Sequence, residues 1–148
     1  NIKYSHSDLL GEYNNCSFDL IFSQEVVYTL ADLEGHASEM FSLLKYGGYY
    51  IFTIGCHTQN PTWIYRRSEI SVSEKYNVHD YSIEHVANVF YQAGFRVSVK
   101  RLPVHMPLKY VPGDQNEFSS LEDLLVSSEE SKLMFVLLKP KIGALDRV

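Results

Sequence analysis

In the first third of the chain, two short apolar runs flank one stripe of helical period. Phe18 to Phe22 is apolar except for Asp19 and reads as a buried parallel strand. A polar crest follows at Ser23, Gln24 and Glu25. Asp32 is a good N-cap, because its carboxylate can accept otherwise orphaned N–H groups. After it, Ala37, Met40, Phe41 and Leu44 fall on one face of a helix. Lys45 is expected in its last turn, with Gly47-Gly48 as a left-handed exit. Tyr49 to Ile54 is the second apolar run, rich in strand-forming residues. Strand, one-sided helix and strand predict a right-handed βαβ unit. Ligands of such sheets bind beyond the C-terminal ends of the strands. Ser23, Gln24 and Glu25 should therefore share a rim with Gly55, Cys56 and His57.

Downstream the pattern is less regular. Gly55 to Arg67 has no clean period and reads as a loop or irregular helix holding Trp63, Tyr65, Arg66 and Arg67. Glu69 to His79 is polar and ambiguous. Ser82 caps a second strong helix with Ile83, Val86, Ala87 and Phe90 as its buried stripe, and Gly94 closes it. Phe95 to Leu102 alternates apolar residues with polar Arg96, Ser98 and Lys100, the signature of an edge strand. Three prolines and Gly113 make Pro103 to Asn116 a loop. Leu121 to Val126 is expected to form one or two helical turns, and Ser127 to Ser131 to be acidic and solvated. Leu133 to Leu138 is the last strand, ended by Lys139-Pro140.

Composition narrows the class. At 148 residues, 45% hydrophobic and 21% charged, the chain reads as one ordinary globular domain, residues 1–148. A net charge of −5 argues against nucleic acid as a partner, since that needs a basic patch. No apolar run approaches the ~20 residues a membrane span needs, and Asn1 to Gly11 lacks a signal-peptide core. The two cysteines, Cys16 and Cys56, read as reduced thiols of a cytoplasmic protein. The six histidines are scattered without zinc-ligand spacing, so no metal is expected. No G-x-S-x-G elbow is present. The 11 tyrosines fit an aromatic-lined pocket, and they fit plain packing as well.

The block SFDLIFSQEVV, a helix, and then LLKYGGYYIFT resembles the centre of the class I S-adenosylmethionine-dependent methyltransferases. In that family the block runs FD, a hydrophobic strand, Ser, a helix, then LLKPGG and a strand. Tyr46 stands in place of the usual proline. YSIEHVANVFYQAGFRV is similar to the family's fifth helix and its a-G-F turn. The resemblance implies an α/β, Rossmann-like methyltransferase sheet with strand order 3-2-1-4-5-7-6. Leu133–Leu138 would then run antiparallel and insert beside Tyr49–Ile54. It further implies that Asp8 binds the adenine amino group, that Leu9 lies on the ring, and that Ser23 and Gln24 border the methionine end. Asp8 is placed for this about ten residues before the FD strand, although a turn cap is the ordinary job of a loop aspartate.

No Gly-x-Gly occurs in the chain, so the glycine-rich cofactor loop and its strand are missing. The expectation is a partial domain entered near its third strand, with a bare strand edge that invites a homodimer or another chain. Segments 55–80 and 103–131 are expected as loop or lid insertions around the acceptor pocket. Tyr28, Trp63, Tyr65 and Arg66 are the candidate acceptor wall. Arg66 and Arg67 suit a carboxylate or phosphate on the acceptor. His57 is the one candidate general base, against the commoner case of a rim histidine that only hydrogen-bonds. The function implied is methyl transfer from S-adenosylmethionine to a small molecule. Its rival is a non-catalytic scaffold fragment that needs another chain. A nucleotide-dependent oxidoreductase is the third reading, and it too lacks its G-x-G-x-x-G fingerprint.

Overall fold

The computed structural model describes residues 13–73, 77–112 and 118–141. Strand β1 (Phe18–Gln24), helix α1 (Leu33–Leu43) and strand β2 (Leu44–Ile54) form the expected unit. The two strands pair in parallel, from Leu20 opposite Tyr49 to Gln24 opposite Thr53. Asp32 caps α1 by accepting the Gly35 N–H at 2.8 Å. Leu33, Ala37, Met40 and Leu43 are buried beneath it.

The exit from α1 differs from expectation. Leu44 is already extended, at φ −75° and ψ 143°, and begins β2. Lys45 has left the helix and pairs with Asp19 at 2.7 Å. The glycine pair serves the strand instead. Gly47, at φ 86°, sits where the β1–β2 register shifts. A Cβ on Gly48 would come within 3.0 Å of the Asp19 carbonyl oxygen, so only glycine lets the strands approach there. The helix end is capped from afar. Lys139 is buried and donates from Nζ to the carbonyls of Phe41 (2.6 Å) and Leu44 (2.8 Å). Its ammonium also lies 4.7 Å from the ring centres of Phe41 and Tyr46.

Beyond β2 come α2 (Trp63–Ser73), α3 (Ile83–Gln92), β3 (Arg96–Arg101), α4 (Leu121–Leu125) and β4 (Leu133–Leu138). One π-type turn, Val126–Glu130, joins α4 to the approach of β4. The strand order is β1-β2-β4-β3, and β4 runs antiparallel to both neighbours. This is the 4-5-7-6 half of the order the resemblance implies. Segment 55–80, read as a loop insertion with Gly55 to Arg67 a loop or irregular helix, contains a regular helix of 11 residues, α2. Most of α2 is exposed, so it has no apolar stripe to reveal it.

Helices α1 and α3 cover one face of the sheet. Val86 and Phe90 of α3 and Ala37 and Met40 of α1 pack with Tyr50, Phe52, Ile54, Phe135 and Leu137. Phe52 and Phe135 stack at 4.8 Å and 10° across the β2–β4 pair. Burying each such side chain is worth roughly 1.5–3 kcal/mol. On the opposite face Leu20 and Phe22 are 56% and 57% exposed. The expectation that β1 is buried on both faces is thereby corrected. Ile21, from the alternate side, packs against the core, as does Phe18 ahead of the register shift, while α1 and α3 flank a single face.

Candidate functional site

Strands β1 and β2 end side by side, and the chain breaks sharply as it leaves each. Glu25 extends the ladder by one bond, its N–H reaching the Thr53 carbonyl at 3.0 Å. It then adopts φ 53°, a left-handed conformation that costs a non-glycine residue about 1–2 kcal/mol. Such strain concentrates at functional turns. The twist throws the Glu25 carboxylate across to the end of β2, where Oε2 accepts the Gly55 N–H at 2.9 Å. Oε1 is shielded from solvent and has no hydrogen-bond partner.

A short 3₁₀ turn, Val27–Thr29, carries Tyr28 over the same rim. Its ring meets Trp63 edge to face at 5.8 Å. Cys56, buried just after β2, interacts with both Tyr28 and Arg66. Burial pushes the Tyr28 phenol up to about 12, and the neighbouring Cys56 and Glu25 add to the rise. Burial and Glu25 also raise the Cys56 thiol, while Arg66 pulls it back. At neutral pH the cluster therefore presents a protonated phenol and a protonated thiol beside Arg66.

The post-β2 segment is built around Asn60, which is buried. Its Nδ2 donates to the Gly55 carbonyl at 2.6 Å, and its Oδ1 accepts from the Thr62 N–H and hydroxyl at 3.0 and 2.9 Å. This knot sets the start of α2 and hence the position of Trp63 and Arg66. Trp63 is fixed further by Nε1 donating to Asp80 Oδ1 at 2.8 Å.

The predicted site residues separate in this geometry. Tyr28, Trp63 and Arg66 come together. Tyr65 faces elsewhere, its hydroxyl 2.9 Å from that of Ser119. The Ser23 hydroxyl turns to the helix-covered side, 2.8 Å from the Tyr50 hydroxyl, which in turn lies 3.0 Å from His36 Nε2. Gln24 stands exposed at the tip of β1. His57 shares the rim but is 1% exposed, with Nε2 donating to the Ser131 carbonyl at 2.7 Å. Burial lowers its pKa. In this arrangement the ring ties the post-β2 segment to the approach of β4. Asp8 and Leu9 lie outside the described residues. Glu25, Cys56 and Asn60 were not among the predicted site residues. The Asn-Pro-Thr run before α2, with the turn chemistry of its asparagine, was the available signal for Asn60.

The strand order is that of the Rossmann-like fold of the class I S-adenosylmethionine-dependent methyltransferases. Residues 2–52 match a family model described as a methyltransferase domain. No curated protein matches the chain. Among solved structures, it is similar to a complex between the Haloferax volcanii Trm112 methyltransferase activator and a methyltransferase. There the TM-score is 0.75 at 18% identity, over 86% of this chain and 56% of that one. A methyltransferase from Thermotoga maritima gives 0.58 at 21% identity, over 86% and 58%. One from Archaeoglobus fulgidus gives 0.58 at 17% identity, over 92% and 66%. The chain thus spans little more than half the length of the first two. Among the described residues, no helix is long and apolar enough to cross a membrane.

Proposed function

We propose that this chain is part of a domain that transfers a methyl group from S-adenosylmethionine to a small-molecule acceptor at the shared rim of β1 and β2. The observation that carries this reading is the assembly of Glu25, Tyr28, Cys56, Trp63 and Arg66 where the two parallel strands end, within a fold of the methyltransferase class. Asp8 and Leu9 fall inside the stretch that matches the family model and are the proposed adenine contacts. Of the two residues proposed for the methionine end, Gln24 has a free, exposed side chain, whereas the Ser23 hydroxyl is engaged by Tyr50.

The sulfonium of the cofactor supplies an activated methyl group. What remains for the protein is to hold the acceptor in line and exclude water, an alignment that can supply up to ~7–11 kcal/mol of the barrier. Tyr28 and Trp63 provide a rigid aromatic wall for that purpose. Arg66 provides a fixed cation beside it. No general base is proposed, since His57 is committed to Ser131.

The second reading, a scaffold fragment that works through another chain or a second copy, draws support from β1. That strand pairs with β2 alone among the described residues and leaves Leu20 and Phe22 largely exposed. Titration with S-adenosylmethionine, following the fluorescence of Trp63, the single tryptophan, separates the readings. Methyl transfer requires a saturable signal; a flat titration, together with self-association in sedimentation velocity, supports the scaffold.

A further inference from the structure

Between α2 and the segment Asn77–His79 lies a cavity of about 670 Å³. Three apolar residues, Ile64 among them, share its wall with Arg67, Ser68, Ser71, Asn77 and His79. No carboxylate is among its described lining residues. The neighbouring acid is Asp80, and it is already engaged twice. Its Oδ2 is 3.1 Å from Arg67 Nη1, and its Oδ1 accepts the Trp63 indole N–H at 2.8 Å. That single contact fixes the Arg67 guanidinium at the wall and leaves its other N–H groups for a ligand, since the fork carries five donors.

His79 gives an independent sign. Its N–H donates to the Tyr28 carbonyl at 2.8 Å, and its ring stacks on Tyr81 at 5.7 Å. Its Nε2, however, is shielded from solvent and has no hydrogen-bond partner. A shielded polar nitrogen left unpaired is costly, and because His79 lines the cavity, a guest that drew the ring outward and accepted from it in the Nε2–H tautomer would relieve that cost. The Arg67 guanidinium, the Ser71 hydroxyl, the Asn77 amide and the His79 imidazole make a donor-rich wall, the Ser68 hydroxyl already donating to the Tyr65 carbonyl at 2.7 Å. A neutral or cationic guest would leave those donors unmatched, whereas an oxyanion satisfies several at once.

We infer that this cavity binds an oxyanion, a carboxylate or phosphate, carried by the methyl acceptor. The anion site stands on its own geometry; assigning the anion to a methyl acceptor rests on the function proposed above. The link between the two is direct. His79 hangs from the carbonyl of Tyr28, and the Asp80–Arg67 pair holds the indole of Trp63. An anion seated here would therefore be one residue removed from the aromatic pair at the rim, joined to it through His79 and Asp80.

The test is calorimetric titration of the protein with inorganic phosphate, and separately with acetate, at constant ionic strength set by chloride. Saturable binding of one or both is expected, and the stronger of the two identifies the group. Arg67→Gln should weaken binding about tenfold, the scale of one charge-assisted contact. Ser71→Glu, at an exposed position of α2, should abolish it, and Lys100→Gln on the edge strand should leave it unchanged. Circular dichroism confirms that each variant is folded. Absence of saturation, or native affinity in both the Arg67 and Ser71 variants, overturns the inference. Saturation by anion without any by S-adenosylmethionine would refute the methyl-transfer reading and leave the anion site standing; the reverse outcome would do the opposite.

Discussion

Glu25 offers a sharp test of how the rim is held. In Glu25→Ala, the Gly55 N–H loses a charged acceptor, worth about 1.5–3 kcal/mol. The alanine must still occupy φ 53°, so no backbone strain is recovered; loss of the bond, partly offset by removal of the unpartnered Oε1, leaves an expected cost of about 1–3 kcal/mol. Glu25→Gly loses the same bond but sheds a left-handed penalty of about 1–2 kcal/mol. Against that relief stands the larger freedom of glycine in the unfolded chain, about 0.4–1 kcal/mol. The glycine variant should therefore be more stable than the alanine variant by roughly 0.5–1 kcal/mol, although both are less stable than the parent. Urea unfolding, followed by Trp63 fluorescence, measures all three proteins in one experiment. Glu25→Ala within about 0.5 kcal/mol of the parent would show that the Gly55 contact contributes little. A glycine variant weaker than the alanine variant would refute the strain argument.

Two further outcomes follow from the packing. His36 and His57 both have pKa values lowered from 6.5, in each case chiefly by burial. Below that value the unfolded chain takes up protons that the folded chain refuses, so stability falls as pH drops through the window beneath about 6.5. Urea midpoints measured from about pH 7.5 down to about pH 5.5 should decline in the parent and decline less in His36→Gln/His57→Gln; equal slopes would contradict the assignment. Lys139→Met keeps most of the buried volume but leaves the Phe41 and Leu44 carbonyls without their donor. A loss of about 2–4 kcal/mol is expected in the same assay, and an unchanged midpoint would count against the cap.

The parts legible in the sequence were those fixed by local chemistry. Asp32 and Ser82 both cap helices as their side chains predict. Gly94 ends α3 at φ 102°. The strands announced themselves by β-branched and aromatic runs, and the antiparallel place of β4 came from the family resemblance. What escaped depended on contacts made across long sequence distances. The acidic crest put Glu25 on the rim, but nothing in it revealed that the carboxylate would reach Gly55, thirty residues away. Lys139 looked like a strand terminator, yet it caps a helix that ends almost a hundred positions earlier. Helix α2 was obscured for a different reason: with few buried positions, it leaves no periodic trace. Of the four residues read as a candidate wall, Tyr28, Trp63 and Arg66 lie together and Tyr65 turns away, because Trp63 and Arg66 stand three apart on one face of α2 and Tyr65 does not.

The position of β4 bears on how the molecule is made. The sheet's penultimate strand in space, lodged between β2 and β3, comes from residues 133–138. During synthesis, β2 emerges some eighty residues before its partner, and β3 waits about thirty. Until Leu138 leaves the ribosome, the aromatic surface of Tyr50 and Phe52 has no Phe135 to meet. Closure of the sheet is therefore a late event dominated by distant pairings, the regime in which folding is slow. Protection from hydrogen exchange of those β2 amides that bond to β4 should accordingly appear together with that of β4, and not with the neighbouring helix α1.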